Sequence, residues 1–184
     1  MKRLSIYSSL CAVLLMSVNV FGQFEGGNGT LADPYQVKTA QQFAAIAGRP
    51  DAFFVPTADI TFDESTDFPK IASFSGIYDG QGHTIISLSN KTKPLFGTVT
   101  GTITRLIVEM GTITVQNGGA AILCNTLDGG TISYCNIQGN VKGATAGGIV
   151  NTMKSGLVEY CCFTGDVTAN GYGSAFGYAG GICA

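Results

Sequence analysis

The sequence contains no tryptophan and a single histidine, His83, in 184 residues. Charged residues make up only 12% of the chain, about half the usual share, whereas hydrophobic residues make up 45%. This apolar balance excludes an intrinsically disordered chain. The formal net charge of −2 argues against a nucleic-acid partner, which would require a basic surface. A lone histidine without a Cys-x-x-Cys spacing gives no zinc-ligand pattern, and we expect neither a metal nor another cofactor.

Glycine is abundant, with 26 residues, about twice the usual share. Strong helix formers are scarce, while threonine, isoleucine and valine are frequent. This composition favours an all-β chain, because β-branched residues pack well on pleated sheets.

The N-terminus has the pattern of a secretory signal. Lys2 and Arg3 form a short basic start, and the run from 4 to 21 is apolar except for serine and asparagine. We predict a signal peptide at 1–22 with cleavage before Gln23. The apolar core is too short for a membrane anchor and no basic stop-transfer segment follows. We therefore expect a secreted or cell-surface protein that meets the membrane only through its signal peptide.

An internal repeat is the strongest feature of the remaining chain. Gly101–Val108, Gly130–Ile137 and Gly156–Phe163 align at offsets of 29 and 26 residues. Apolar residues recur at i, i+3 and i+5, which indicates a strand, a corner and a second strand rather than a helix. Such units bury their apolar faces only by stacking. Coils of ~20–30 residues favour a right-handed parallel β-helix, a solenoid, with glycines at corners that need positive φ.

An earlier, partial copy of the repeat is proposed at Thr84–Leu88, 18 residues before Thr102–Leu106. We expect the first strands of the solenoid at Phe53–Val55 and Ile60–Phe62. The predicted division of the chain is a signal peptide at 1–22, an N-terminal segment at 23–51 and the β-helix at 52–184.

A short helix is predicted within the N-terminal segment. Thr39 and Gln42 have the spacing of a capping box, and Phe43 and Ile46 lie on one helical face. Gly48 and the proline that follows end the helix. Such a helix covers the open end of the solenoid core, where unpaired backbone groups would otherwise be exposed.

Five cysteines follow the signal peptide, an odd number that leaves at least one thiol unpaired. We interpret them as small buried hydrophobes. Cys135 and Cys161 would be neighbours on adjacent coils at a Cα separation that permits a disulfide, while Cys162 would point outward. The disulfide state is left open for all five residues: Cys124, Cys135, Cys161, Cys162 and Cys183.

No catalytic residue is predicted. Glycosidases need paired carboxylates, but those in the repeat region do not fall on matching outward positions. His83 follows a tight turn and lacks a nucleophile nearby, so we assign it a hydrogen-bonding role. An acidic cluster is interpreted as a solvated loop rather than a Ca²⁺ site, which needs six or more oxygens: Asp59, Asp63, Glu64 and Asp67.

Tyrosines form the candidate binding surface. Tyr134 and Tyr160 occupy equivalent places in the repeat, beside the inward cysteines, and Tyr172 and Tyr178 lie in a glycine-rich insertion. Together they offer exposed rings for a glycan or a surface protein. Two alternatives remain open: the Tyr134–Tyr160 pair caps the corner by stacking on itself, or the solenoid is a rigid spacer for another domain.

The chain resembles a known group of proteins. Asp33–Val37, Thr57–Ile60 and Phe74–Ile85 look like the start of secreted bacterial β-helix proteins of the pectate-lyase-like superfold. The later copies, in particular Gly147–Val150 and Thr164–Val167 with Cys161, are similar to the GLUG repeat. The chain departs from that repeat at Asn125 and Asn151, where glycine is preferred, so we expect different corners there. The resemblance implies a bacterial surface protein, either adhesin-like or an accessory part of a surface peptidase.

The C-terminal motif Gly180–Ala184 repeats one that precedes a further strand in the previous copy. We expect further C-terminal sequence or another chain to cover this end. The predicted function is an adhesin-like, non-catalytic module that binds glycan or protein. The alternative is an accessory or partial β-helix domain of a polysaccharide-degrading enzyme or a surface peptidase.

Overall fold

The computed structural model describes residues 23–64, 67–69, 71–87, 90–171 and 177–183. The predicted signal peptide therefore lies outside the described residues. Within those ranges the chain forms one α-helix, α1 (Ala40–Ala45), a 3₁₀ turn (Ile46–Gly48) and seventeen short strands. The strands are β1 (Tyr35–Val37), β2 (Phe53–Pro56), β3 (Ile60–Thr61), β4 (Ser73–Phe74), β5 (Ile77–Asp79), β6 (Thr84–Ser87), β7 (Phe96–Val99), β8 (Thr102–Thr104), β9 (Ile107–Thr114), β10 (Gly119–Ala120), β11 (Cys124–Ser133), β12 (Asn136–Gly143), β13 (Thr145–Gly147), β14 (Val150–Glu159), β15 (Cys162–Thr164), β16 (Val167–Ala169) and β17 (Ala179–Gly180).

The strands stack in parallel as a β-solenoid of about four turns, which confirms the predicted all-β class. Among the described residues they form three sheets of eight, six and three strands. The longer coils pass through these sheets in turn, as in the run β11, β12, β13. Parallel pairing between successive coils places equivalent side chains one above another.

The repeat predicted from the sequence is the true coil register. Thr131 pairs with Thr102 on one side and with Leu157 on the other, which reproduces the offsets of 29 and 26 residues. The inward columns are Ile103, Ile132 and Val158; Leu106, Cys135 and Cys161; and Val108, Ile137 and Phe163. The first two members of each column are fully buried, whereas the third is only partly buried.

The earlier partial copy was aligned wrongly. Thr84 pairs with Ile107 rather than with Thr102, whose partner on that side is Ile77 of β5. The error arose because both strands of a coil share an alternating Thr–Ile pattern. The shared pattern therefore predicted the fold, but it did not distinguish the first strand of the coil, β5, from the second, β6.

The solenoid also begins earlier than expected. Strand β1 precedes the helix and pairs in parallel with β2, so that Tyr35 lies beside Phe54. Three residues with one buried side chain gave too short an alternation to predict a strand.

The predicted capping helix is present, and its side chains enter the core. The Thr39 hydroxyl accepts a hydrogen bond from the Gln42 amide at 3.2 Å, and the Gln42 side chain accepts one from the Thr39 amide at 3.2 Å. Phe43 and Ile46 are completely buried. The Phe43 ring packs edge-to-face against rings of three later strands or loops, each at 5.6 Å: Phe62, Tyr78 and Phe96.

Asn125 and Asn151, which stand where the similar repeat prefers glycine, form hydrogen bonds that glycine could not make. Asn151 is buried, and its amide donates to the Asn125 side-chain oxygen at 3.2 Å. The Thr145 hydroxyl in turn donates to the Asn151 oxygen at 2.7 Å. This polar ladder satisfies the buried amide and ties adjacent coils together at that corner.

Candidate binding surface

A corner between the eight-stranded and six-stranded sheets is built from one left-handed residue per coil. Arg105, Tyr134 and Tyr160 have φ angles of 52°, 54° and 51°. The Arg105 amide donates to Ser133 of the next coil at 3.1 Å, and the Tyr134 amide donates to Glu159 at 3.2 Å. Glycine is the residue expected at such corners, because this conformation costs other residues roughly 1–2 kcal/mol.

Tyr134 and Tyr160 are stacked on one another at this corner. Their ring centroids are 4.9 Å apart and the rings are nearly parallel, at 9°. This spacing matches the ~4.8 Å separation of adjacent strands, so the stack follows directly from the coil register. The two residues nevertheless remain 59% and 71% exposed. The pair is therefore a stacked cap of the corner, and both of its rings remain accessible to solvent.

The other two predicted tyrosines do not extend this surface in the described residues. Tyr178 is 65% exposed and lies just before β17. No ring contact joins it to the stacked pair within the part of the chain that the structure describes. Tyr172 lies outside the described residues. The binding role of all four tyrosines stays a prediction.

Arg105 is a member of the corner that the sequence analysis missed. It stands one coil before Tyr134, and its guanidinium forms an ion pair with Asp79 through both Nε and a terminal nitrogen. This hydrogen-bonded pairing raises the pKa of Arg105. The aligned repeat carries the signal, since position 105 matches 134 and 160, but Arg105 is not aromatic and does not fit a pattern of repeated tyrosines.

The outer face of the six-stranded sheet continues from the corner with mostly uncharged side chains. Parallel pairing places Asn136 beside Cys162 and Gln138 beside Thr164, and all four side chains are exposed. Glu109 precedes Gln138 in the same column. Amide and hydroxyl groups beside a flat aromatic pair can hydrogen-bond a ligand that stacks on the rings.

His83 has the hydrogen-bonding role that its turn suggested. Its Nδ1 lies 3.4 Å from Asp59, which also accepts a 2.8 Å hydrogen bond from the Thr84 amide. The Thr84 bond is the main cause of a lowered Asp59 pKa, and His83 adds to it. Asp67, in the same predicted acidic cluster, instead accepts hydrogen bonds from the Thr92 amide and hydroxyl. Over the described ranges, no group of three or more metal-ligating side chains is found.

Two surface clefts lie away from the tyrosine corner. One of about 350 Å³ surrounds Arg49 and Tyr35 near the N-terminal segment. Another of about 300 Å³ runs between Pro69 and Asn125. Glu25 is the one carboxylate lining the first cleft and none lines the second, so neither presents the carboxylate pair of a glycosidase.

No protein-family model matches this chain, and no curated protein matches it. Its fold is similar to the crystal structure of a candidate immunoglobulin A1 protease from Bacteroides ovatus, with a TM-score of 0.58 and 20% sequence identity. The alignment covers 88% of this chain and 66% of that chain, so the present chain spans somewhat less than two thirds of its neighbour. At this identity the similarity establishes the β-solenoid fold alone.

The described residues include no helix long and apolar enough to cross a bilayer.

Proposed function

We propose that this chain is an exported, adhesin-like binding module of a bacterial cell surface, and that Tyr134 and Tyr160 bind a glycan. The observation that carries the proposal is the exposed stack of the two nearly parallel rings, whose centroids are 4.9 Å apart. The apolar face of a sugar ring packs against such a surface, while its hydroxyls reach neighbouring polar groups. Export is supported by the basic and apolar pattern of residues 1–22 and by the similarity of the repeats to GLUG sequences.

The charges around the corner favour a neutral glycan over an acidic one. Glu159 precedes Tyr160, and Glu109 lies on the adjoining face. Arg105, the cation at the corner itself, is engaged by Asp79. An anionic polysaccharide would therefore be repelled at the corner by Glu159 and Glu109.

Direct binding measurements test the proposal. The purified protein is screened on a glycan array that carries neutral and uronic-acid-containing oligosaccharides, and the affinity of a retained glycan is measured by calorimetry. We expect retention of neutral glycans without release of reducing ends. Replacement of Tyr160 by alanine weakens binding about tenfold or more, equivalent to about 1.4 kcal/mol.

Leu31→Ala is the matched control, because Leu31 is an exposed apolar residue, 74% accessible, in the N-terminal segment. Its affinity should equal that of the unaltered protein. Tyr178→Ala asks whether the surface extends to the glycine-rich insertion. Equal affinities for the Tyr160→Ala and Leu31→Ala variants would reject the tyrosine corner as the binding surface.

A second candidate function is the accessory β-solenoid domain of a surface peptidase. It is supported by the description of the Bacteroides ovatus neighbour and by the share of that chain that the alignment leaves uncovered. The two candidates separate when immunoglobulin A1 is incubated with the protein. Capture or cleavage of the immunoglobulin, unaffected by Tyr160→Ala, would favour the peptidase-related role.

A further inference from the structure

Two thiols stack inside the corner, directly behind the tyrosines. Cys135 and Cys161 occupy the same position on adjacent coils, and the Cys162 amide donates to the Cys135 carbonyl at 2.9 Å. Each sulfur lies 3.2 Å from the carbonyl oxygen two residues earlier, that of Ser133 or Glu159. The matching contacts mean that both side chains point the same way. Their Cα atoms are one strand spacing apart, ~4.8 Å, which is within the range that a disulfide spans.

The two thiols differ in access and acidity. Cys135 is buried at 2% exposure, whereas Cys161 is partly exposed. The neighbouring Cys135 thiol lowers the pKa of Cys161 to about 7, against the opposing effect of partial burial. The same interaction, together with burial, raises the pKa of Cys135. The accessible sulfur is therefore the better nucleophile at neutral pH, and the buried sulfur holds the proton.

We propose that Cys135 and Cys161 form a redox-active dithiol that exchanges with small disulfides of the glutathione type. The Cys161 thiolate attacks one sulfur of the disulfide RSSR, forms a mixed disulfide and releases one thiolate RS⁻. The Cys135 thiol gives up its proton, and its sulfur then attacks the Cys161 sulfur and releases the second RS⁻. In total two protein thiols are oxidised to one disulfide, and RSSR is reduced to two RSH.

Oxidation would fasten the last coil to the preceding one. The crosslink joins the start of β15 to the start of β12, where the reduced protein has backbone hydrogen bonds but incomplete burial. Restricting the unfolded chain in this way stabilises the folded state, and we expect the thermal midpoint to rise by about 5 °C or more.

Mass spectrometry of the folded protein tests the proposal. The reduced protein is incubated with oxidised glutathione at neutral pH, and its disulfides are mapped by peptide digestion without reduction. The expected product is a Cys135–Cys161 linkage. In Cys135→Ser the second step is removed, so a glutathionyl group should remain trapped on Cys161. In Cys135→Ala, which places neither a thiol nor a hydroxyl beside Cys161, the pH at which Cys161 reaches half its maximal alkylation rate should move above 7.

Cys162→Ser is the matched control, since Cys162 is the adjacent residue but faces outward and is exposed. This variant should still form the linkage at the original rate. Circular dichroism checks that each variant is folded, and mapping of the unaltered protein decides the question if one is not. A folded, fully oxidised protein without the Cys135–Cys161 linkage, or with glutathione on Cys162 alone, would overturn the proposal.

Discussion

The first and the last described coils of the solenoid are buried very differently. At the N-terminal end, Phe43 of the capping helix enters the core and meets three other rings at 5.6 Å. In the last described coil, strands β14, β15 and β16 leave partly accessible the inward side chains that the earlier coils bury. Val158 and Phe163 are only partly buried, although their neighbours Ile132 and Ile137 are fully buried. Equivalent positions of the repeat thus hold buried side chains in one coil and accessible side chains in the next.

This difference explains where the candidate functions lie. Tyr160 and Cys161 are adjacent residues of the last described coil, and each has its counterpart, Tyr134 or Cys135, one coil earlier. The inner copy supplies a fixed partner, and the outer copy supplies the accessible ring or thiol. Low local coverage is typical of regions that bind or react.

The largest expected effect on stability comes from truncating Phe43, the side chain by which the capping helix enters the core. Phe43→Ala should lower the free energy of unfolding by about 3–5 kcal/mol, because it removes a fully buried ring and leaves a cavity. Phe163→Ala should cost clearly less, since its ring is partly exposed. Urea unfolding of both variants measures the comparison. Equal losses would show that the two ends are equally packed.

A conservative change in the covered end should stabilise the protein. Tyr78 is completely buried, and its hydroxyl has no hydrogen-bond partner among the described residues. Burial accordingly raises its pKa. Tyr78→Phe removes this unsatisfied group and should raise the free energy of unfolding by about 1–2 kcal/mol. Chemical denaturation checks the sign, and a loss of stability would mean that the hydroxyl is satisfied.

The capping box of the helix should contribute about 1 kcal/mol. Thr39→Ala removes the hydroxyl that accepts from the Gln42 amide and should reduce stability by that amount. Thr39→Ser keeps the acceptor and serves as the control. The thermal midpoints of the two variants, measured by calorimetry, should differ. Indistinguishable midpoints would mean that the Thr39 hydroxyl does not stabilise the capping helix and that the helix is held in place by the packing of Phe43.

The smallest expected effect concerns pH. Partial burial raises the pKa of Asp67, but hydrogen bonds from the Thr92 hydroxyl and amide outweigh it, so that the net pKa is lowered. The ionised form is therefore favoured by folding. Its contribution is present above the unfolded pKa of about 3.9 and disappears as the pH falls through the lower folded value.

Asp67→Asn should accordingly be less stable than the unaltered protein at pH 7, and the difference should vanish in acid. Urea titrations at several pH values measure it. Asp128→Asn is a control for removal of a carboxylate elsewhere, in β11, where Lys154 and Ser155 of the next coil contact Asp128 at 3.3 and 3.5 Å. If the free energy of unfolding of Asp67→Asn were lower by the same amount at every pH, the loss would come from altered hydrogen-bond geometry rather than from the missing charge.

Much of this architecture was predictable because parallel stacking requires apolar residues at the same inward positions in each coil. The columns through Ile103 and Ile132, the helix cap at Thr39 and the outward position of Cys162 all follow from spacing. Strand β1 and the true partner of Thr84 did not, because short segments with a common Thr–Ile alternation carry too little register information.

The candidate surface was only half predictable. The equivalence of Tyr134 and Tyr160 followed from the repeat, whereas their left-handed backbone and the part played by Arg105 did not. Glycine is the usual solution to a positive φ angle, and a local pattern does not reveal that stacking between coils, worth about 0.5–1.5 kcal/mol, offsets the strain.

Amide hydrogen exchange of the reduced protein tests the central claim, that the last described coil is the least protected part of the solenoid. The Asn136 and Cys162 amides occupy the same repeat position and donate to Leu106 and Cys135 at 3.0 and 2.9 Å. Despite this equal geometry, we predict that Cys162 exchanges at least about tenfold faster, through local opening of its coil. Equal protection of the two amides, both at the level of global unfolding, would contradict the account.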